Sequence, residues 1–335
     1  MPLFQPPVTP LPIPLDLHGQ TAIVTGATSG IGLALARQLL LVKASPVILA
    51  VRNVSKGESV RRDFLADPAI RSANPDAVVQ VMELDTEKYD SIKSFARAFR
   101  EQHQDVHIVM LNAGVPGLRR HIAPTGHEAT IQVNYLSNVL LTLEFLPLLE
   151  STAQKTGLPG RVTWTGSRAI VNTSLATKSP IKPGESILQH LDAEDNFFGL
   201  SRYADSKLLA FLFLRELPRH YGPEKVIVNA FCPGMVNTAM SDVLPQPLRL
   251  LADAVKAVRA RTPEKAGWIG VSAVAVAGAE THGKLLGDME AWEPEGFAAS
   301  EDGGRRLQGL LWDETVAEMA RVTTVPGWMF KIGGM

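Results

Sequence analysis

A single cysteine, Cys232, occurs in the 335 residues, so an intramolecular disulfide framework is excluded and a reducing compartment, the cytoplasm, is the expectation. Charge of one sign is also missing. Its 33 basic residues face 34 acidic ones without a long run of either, which leaves no electrostatic footprint for nucleic acid or an anionic membrane. No apolar stretch reaches the roughly 20 residues of a spanning helix. The most apolar, 268–279, is interrupted by Gly270, Ser272 and Gly278. The first fourteen residues hold no lysine or arginine and carry Pro2, Pro6, Pro7, Pro10, Pro12 and Pro14. They have neither the charged start nor the continuous apolar helix of a signal peptide, and residues 1–17 read as an extended arm. Metal-ligand patterns are scarce too: of eight histidines only His103 and His107 are spaced i, i+4, without a carboxylate to complete a zinc motif, and no metal is expected.

What is present is the material for one substantial core, with 45% hydrophobic and 20% charged residues. Short β-branched runs at 21–25, 47–51, 78–83, 106–111, 161–165 and 225–231 predict strands. Longer helical patterns alternate with them at 30–41, 55–66, 89–103, 128–150 and 203–221. Strands apolar almost throughout, each followed by a helix, imply an α/β fold: one doubly wound parallel sheet with helices on both faces and ligand at the carboxyl ends of the strands. With no repeat and no Gly/Ser linker, 18–335 reads as one domain. Segments 171–198 and 237–279 read as substrate walls or a lid. The tail 288–335 carries Trp312, Val316, Met319 and Ala320 on one helical face, so it is expected to pack back as a helix.

The first strand runs into Thr25-Gly26-Ala27-Thr28-Ser29-Gly30-Ile31-Gly32, which opens the first helix. Backbone N–H groups and the positive helix end are thereby offered to a pyrophosphate. Gly26 suits a tight turn, Gly30 removes a Cβ from the phosphates, and Gly32 lets helix and strand approach. The second strand ends Val51-Arg52-Asn53, without the acidic residue that would bind the ribose hydroxyl of NAD. Arg52 presents a donor fork to a 2′-phosphate, with Lys56 as a second cation, so NADP(H) is the expected cofactor. Two solvated loop charges are the plainer alternative.

Tyr203-Ala204-Asp205-Ser206-Lys207 places a phenol and an ammonium at i and i+4 on one helix face. A fixed cation favours phenolate and brings a phenol toward the working range, so the pair suits proton transfer. Together with the glycine turn, Asn112-Ala113-Gly114 after the fourth strand, Asn134, Ser167 after the fifth strand and Pro233-Gly234 after the sixth, the chain resembles the short-chain dehydrogenase/reductase family over roughly residues 18 to 290. Arg52-Asn53, Lys56-Gly57-Glu58 and the long Ser167-to-Tyr203 segment make it most similar to the retinol-dehydrogenase-like group and its fungal relatives, several of which serve secondary metabolism.

The resemblance implies a Rossmann-type NADP-dependent oxidoreductase, a ketoreductase acting on a carbonyl/alcohol pair of a hydrophobic small molecule. By position, Ser167 would bond the substrate oxygen, Tyr203 would exchange its proton, Lys207 would bind the nicotinamide ribose and tune Tyr203, and Asn134 would hold a proton-relaying water. Asn112, Ala113 and Gly114 would line the cofactor, and Asp85 would accept from the adenine amine or else cap a helix. Pro233, Val236 and Thr238 would lie in the segment contacting the nicotinamide amide. Two rivals stay open: a cofactor-binding sensor or scaffold without redox chemistry, and an isomerase or cyclase on the same fold. A serine hydrolase is disfavoured because Ala169 replaces the second glycine of its elbow. Cys232 reads as an inert packed thiol. The helices around Asn134–Glu150 and Tyr203–Tyr221 are apolar on more than one face, which suits a homodimer seam, the expectation adopted, or burial under the chain's own tail.

Overall fold

The computed structural model describes residues 5–11, 14–238 and 246–330, with 247–248 and 251–255 by backbone alone. Parts of the expected arm (1–4 and 12–13), lid (239–245) and tail (331–335) lie outside the described residues. Eight strands form one sheet: β1 (Ala22–Thr25), β2 (Val47–Val51), β3 (Val79–Glu83), β4 (Ile108–Leu111), β5 (Gly160–Thr165), β6 (Val226–Cys232), β7 (Leu285–Gly287) and β8 (Glu290–Trp292). Their order is β3-β2-β1-β4-β5-β6-β7-β8, with β8 alone antiparallel. The helices in the first half are α1 (Gly30–Leu41), α2 (Val54–Ala66), α3 (Pro68–Ala73), α4 (Tyr89–Gln102), α5 (Ala129–Ile131) and α6 (Ser137–Thr156). The second half adds α7 (Ile187–Asp192), α8 (Gly199–Glu216), α9 (Gln246–Arg259), α10 (Pro263–Val271) and α11 (Arg306–Ala320).

Strand side chains alternate between two cores, as the two-residue period requires. Ile23, Ile48, Val109, Val162 and Val228 join one core with α4, α6, α8 and α11. Ala22, Val24, Leu49, Met110 and Phe231 join the other with α1, α2, α3 and α10. Both faces being covered explains why β1, β2 and β4 read as nearly continuous apolar runs. The chain reverses its winding between β1 and β4, the place where a crevice opens beyond the strand ends.

Two features depart from the expected pattern. The helix expected over 128–150 is interrupted: α5 passes through a π-helical turn, Gln132–Leu136, into α6. The edge strands β7 and β8 were not foreseen, because three residues each are too short to show a period. Part of the apolar surface of α8 meets α11, the chain's own tail. Trp312 stacks on Phe213 with ring centroids 5.0 Å apart and on His220 at 4.1 Å, so the tail packs on α8, as one of the two readings of that helix expected. The tail helix itself is present as expected. Among the described residues no helix is long and apolar enough to cross a membrane.

Candidate active site

A cleft of about 920 Å³ lies at the carboxyl ends of the strands. Its glycine turn is shaped by backbone that other residues adopt poorly: Gly26 has φ +68° and Gly30 φ +54°. A Cβ on Gly26 would come within 3.0 Å of the Ala113 Cα, and one on Gly32 would meet the Gly26 carbonyl oxygen. Gly32 therefore packs beneath the cleft, while Gly26, Thr28, Ser29, Gly30 and Ile31 line it. Thr25, whose role the sequence reading did not single out, latches the turn to the next strand end. Its Oγ1 accepts from the backbone N–H of Asn112 (2.9 Å) and of Ala113 (3.0 Å). The Asn112 side chain reinforces this by donating to Thr25 O at 3.1 Å and accepting from Thr165 Oγ1 at 3.3 Å. Asn112 thus ties three strand ends together, with Ala113 and Gly114 beside it on the cleft wall.

At one end stand Arg52, Lys56, Asp85 and Glu87. The Arg52 side chain is 72% exposed and pairs with Glu87 at 3.4 Å. Asn53 caps α2 by accepting from the Lys56 N–H, which orients the start of that helix toward the cleft. Asp85 does not cap α4; that place belongs to Lys88. Its carboxylate instead accepts from the Glu87 N–H at 3.1 Å and pairs with Lys88 at 2.9 Å. Burial opposes its charged form, but Lys88 and the Glu87 N–H outweigh it and hold the carboxyl below its usual range.

At the other end Ser167, Tyr203 and Lys207 converge. Ser167 Oγ accepts from the Ala169 N–H at 3.1 Å, the turn-capping role, and lines the cleft beside Tyr203. Lys207 Nζ donates to Thr165 O at 2.6 Å and sits 5.6 Å from the centre of the Tyr203 ring. The expected lowering of the phenol by its cation is reversed in this arrangement. Burial dominates and pushes Tyr203 up to about 12, the nearby Cys232 adds to the rise, and the Ser167 contact opposes it. Burial likewise lowers Lys207 to about 8. Cys232 is buried, and its Sγ accepts from the Arg168 N–H at 3.4 Å, consistent with a packed thiol.

Asn134 is buried and does not line the cleft. Its Oδ1 accepts from the Val115 N–H at 2.8 Å, and its Nδ2 donates to Val115 O and to Ser206 Oγ, both at 2.9 Å. The side-chain amide is thus engaged by protein partners, and the main-chain carbonyl accepts from Asn138 Nδ2 at 3.0 Å. Pro233, Val236 and Thr238 line the cleft. Lys256, which no motif marked, joins them from α9 and donates to Thr238 O at 2.6 Å. His103 and His107 are engaged elsewhere, the first with Gln80 and the second accepting from the Thr21 N–H.

A doubly wound sheet whose glycine turn, strand ends and Tyr–Lys helix meet in one cleft has the build of a Rossmann-type oxidoreductase. The model of the short chain dehydrogenase family matches residues 20–175. A short-chain dehydrogenase/reductase, tropG, of Talaromyces stipitatus is 49% identical over 323 residues, covering 96% of this chain and 98% of that protein. The short chain dehydrogenase macD of Penicillium terrestre is 48% identical over 97% of this chain and 98% of its own length. The chain belongs to the short-chain dehydrogenase/reductase family, with fungal members among its full-length relatives. The solved RhlG/NADP active-site complex of Pseudomonas aeruginosa shares the fold with TM-score 0.62 at 24% identity, over 82% of this chain and 96% of that one. A Brucella melitensis 3-ketoacyl-(acyl-carrier-protein) reductase complexed with NADH does so with TM-score 0.59 at 18% identity, over 81% of this chain and 97% of that one.

Proposed function

We propose that this protein is an NADP(H)-dependent carbonyl reductase of a hydrophobic small molecule, working in the cytoplasm and in fungal secondary metabolism. The observation that carries the reading is one cleft holding an open cationic fork, Arg52 with Lys56, at one end and Ser167, Tyr203 and Lys207 at the other. The glycine turn between them leaves room that a Cβ would take, which fits a dinucleotide pyrophosphate on the α1 N-terminus. When bound, the nicotinamide supplies or takes the hydride. Arg52 and Lys56 would bind a 2′-phosphate, and Ala113 and Gly114 would face the cofactor across the turn. Pro233, Val236 and Thr238 would border its nicotinamide end.

The Ser167 hydroxyl, oriented by the Ala169 N–H, would donate to the substrate oxygen. Tyr203, protonated at neutral pH and held so more firmly by burial, would deliver a proton to that oxygen as the carbonyl is reduced. Lys207, lowered to about 8, is matched to returning a proton to Tyr203 near neutrality. Leu200, one turn before Tyr203, is 75% exposed and lines the cleft with Val115, Pro116 and Leu118, which supports an apolar substrate.

A panel of ketones and aldehydes, run with NADPH and NADH separately, tests the reading. Turnover with NADPH is expected. Arg52→Ala is expected to raise the KM for NADPH by roughly 10- to 100-fold, the worth of about 1.5–3 kcal/mol for a hydrogen bond to a charged group, and to leave that for NADH unchanged. A wild-type preference for NADH by more than about tenfold, near 1.4 kcal/mol, would remove the assignment of Arg52.

A further inference from the structure

Directly behind Tyr203 lies a cluster of charge sealed from solvent: Glu128, Arg202 and Asp205 are all fully buried. Asp205 Oδ1 accepts from Thr173 Oγ1 at 2.8 Å and from the Ser174 N–H at 2.7 Å, and its Oδ2 accepts from Ser174 Oγ at 2.8 Å. Thr173 and Ser174 follow the short 3₁₀ helix Arg168–Asn172, which begins at Ser167. One end of this segment therefore carries the Ser167 hydroxyl, which lines the cleft with Tyr203, and the other is pinned to α8 two residues beyond Tyr203. The guanidinium of Arg202 lies 3.9 Å from Asp205 and 3.8 Å from Glu128, and donates to Asn196 O at 2.7 Å. Glu128 accepts from Thr130 and Ile131 at the start of α5, the helix leading into the turn that holds Asn134.

Well-packed apolar side chains often replace buried ion clusters with no loss of stability, so stability alone does not account for three sealed charges. The hydrogen bonds of Asp205 to Thr173 and Ser174, of Glu128 to Thr130 and Ile131, and of Arg202 to Asn196 O are directional and fix these segments locally, while Arg202 faces both carboxylates as an ion pair without a hydrogen bond to either. We propose that Asp205 is a positioning residue, pinning the Ser167 segment to α8 so that the Ser167 hydroxyl and the Tyr203 phenol stay in register. Arg202 and Glu128 extend that register to the Asn134 turn. The inference rests on the reductase reading for its kinetic consequence, but not for its structural one.

Asp205→Asn keeps the shape and the acceptor for Ser174 N–H while removing the charge facing Arg202; Ser174→Ala removes one pin from the other side and leaves α8 intact. With NADPH and a carbonyl substrate, each folded variant is expected to lose kcat by roughly 10- to 100-fold, the scale of a misplacement near 1 Å, at little changed KM for NADPH. Fluorine NMR of the full chain labelled with 3-fluorotyrosine gives a readout independent of turnover. The Tyr203 resonance, assigned by its loss in Tyr203→Phe, is expected to shift or broaden in both variants, while that of Tyr221 stays in place. Folded variants with wild-type kcat, or an unmoved Tyr203 resonance, overturn the inference. Should the wild type reduce no carbonyl, the reductase reading fails and the fluorine spectra alone decide this one; should Asp205→Asn not fold, Ser174→Ala decides it.

Discussion

A phenol pushed up to about 12 beside an amine lowered to about 8 is, at neutral pH, a loaded acid with a neighbour able to reload it. Carbonyl reduction should therefore lose kcat/KM as pH rises through about 8, where Lys207 gives up its charge while Tyr203 is still protonated. A pH–rate profile with saturating NADPH checks this, and a flat profile through that region would count against the role of Lys207. Tyr203→Phe should lower kcat by about 10²–10⁴, the usual share of a positioned proton donor, without altering the thermal midpoint much. Lys207 also leaves a mark on stability. Its folded value lies below the 10.5 of a free lysine, so between about 8 and 10.5 the unfolded chain binds more protons and stability rises with pH. The midpoint difference between Lys207→Met and wild type should accordingly move in favour of wild type across that window.

Between elements, His127 is the joint that fastens the tail helix α11 to α7. Its Nδ1 meets Asp192, at the end of α7, at 2.8 Å, and its Nε2 meets Glu318 on α11 at 3.2 Å. Burial alone would lower this histidine, but the hydrogen bonds and charges of both carboxylates prevail and raise it to about 9. A raised value means stability that is complete below the unfolded value of 6.5 and lost as pH climbs through about 9. The whole contribution is on the order of 3 kcal/mol. His127→Gln should unfold at lower urea than wild type at pH near 6, with the gap closing toward alkaline pH. Chemical denaturation at both ends of the window measures it, and a gap independent of pH would mean the ion pairs contribute nothing. None of this joint was legible beforehand, since residues 127, 192 and 318 carry no common motif.

For the whole molecule, the tail helix decides how much apolar surface remains. The stack of Phe213, Trp312 and His220, with the Trp312 indole N–H donating to Met329 O at 3.0 Å, closes the core over α8. Trp312→Ala should cost about 3–5 kcal/mol of stability, as for other large aromatic truncations in a core. It should also bare the face of α8, so size-exclusion chromatography is expected to show larger species than the wild type gives. An unchanged urea midpoint would mean that the tail is a passive attachment.

The alternation of strands and helices, the glycine turn, and the order of Ser167, Tyr203 and Lys207 were all readable along the chain, because backbone sterics, side-chain period and i, i+4 spacing are local properties. Six of the eight strands were placed this way. Only the tertiary structure could decide the upward push on the Tyr203 phenol, the engagement of the Asn134 amide by Val115 and Ser206, the arrival of Lys256 at the cleft and the packing of α11 on α8. Each depends on contacts between residues far apart in sequence. Desolvation and hydrogen-bond satisfaction are set by the surroundings of a group, not by its neighbours along the chain.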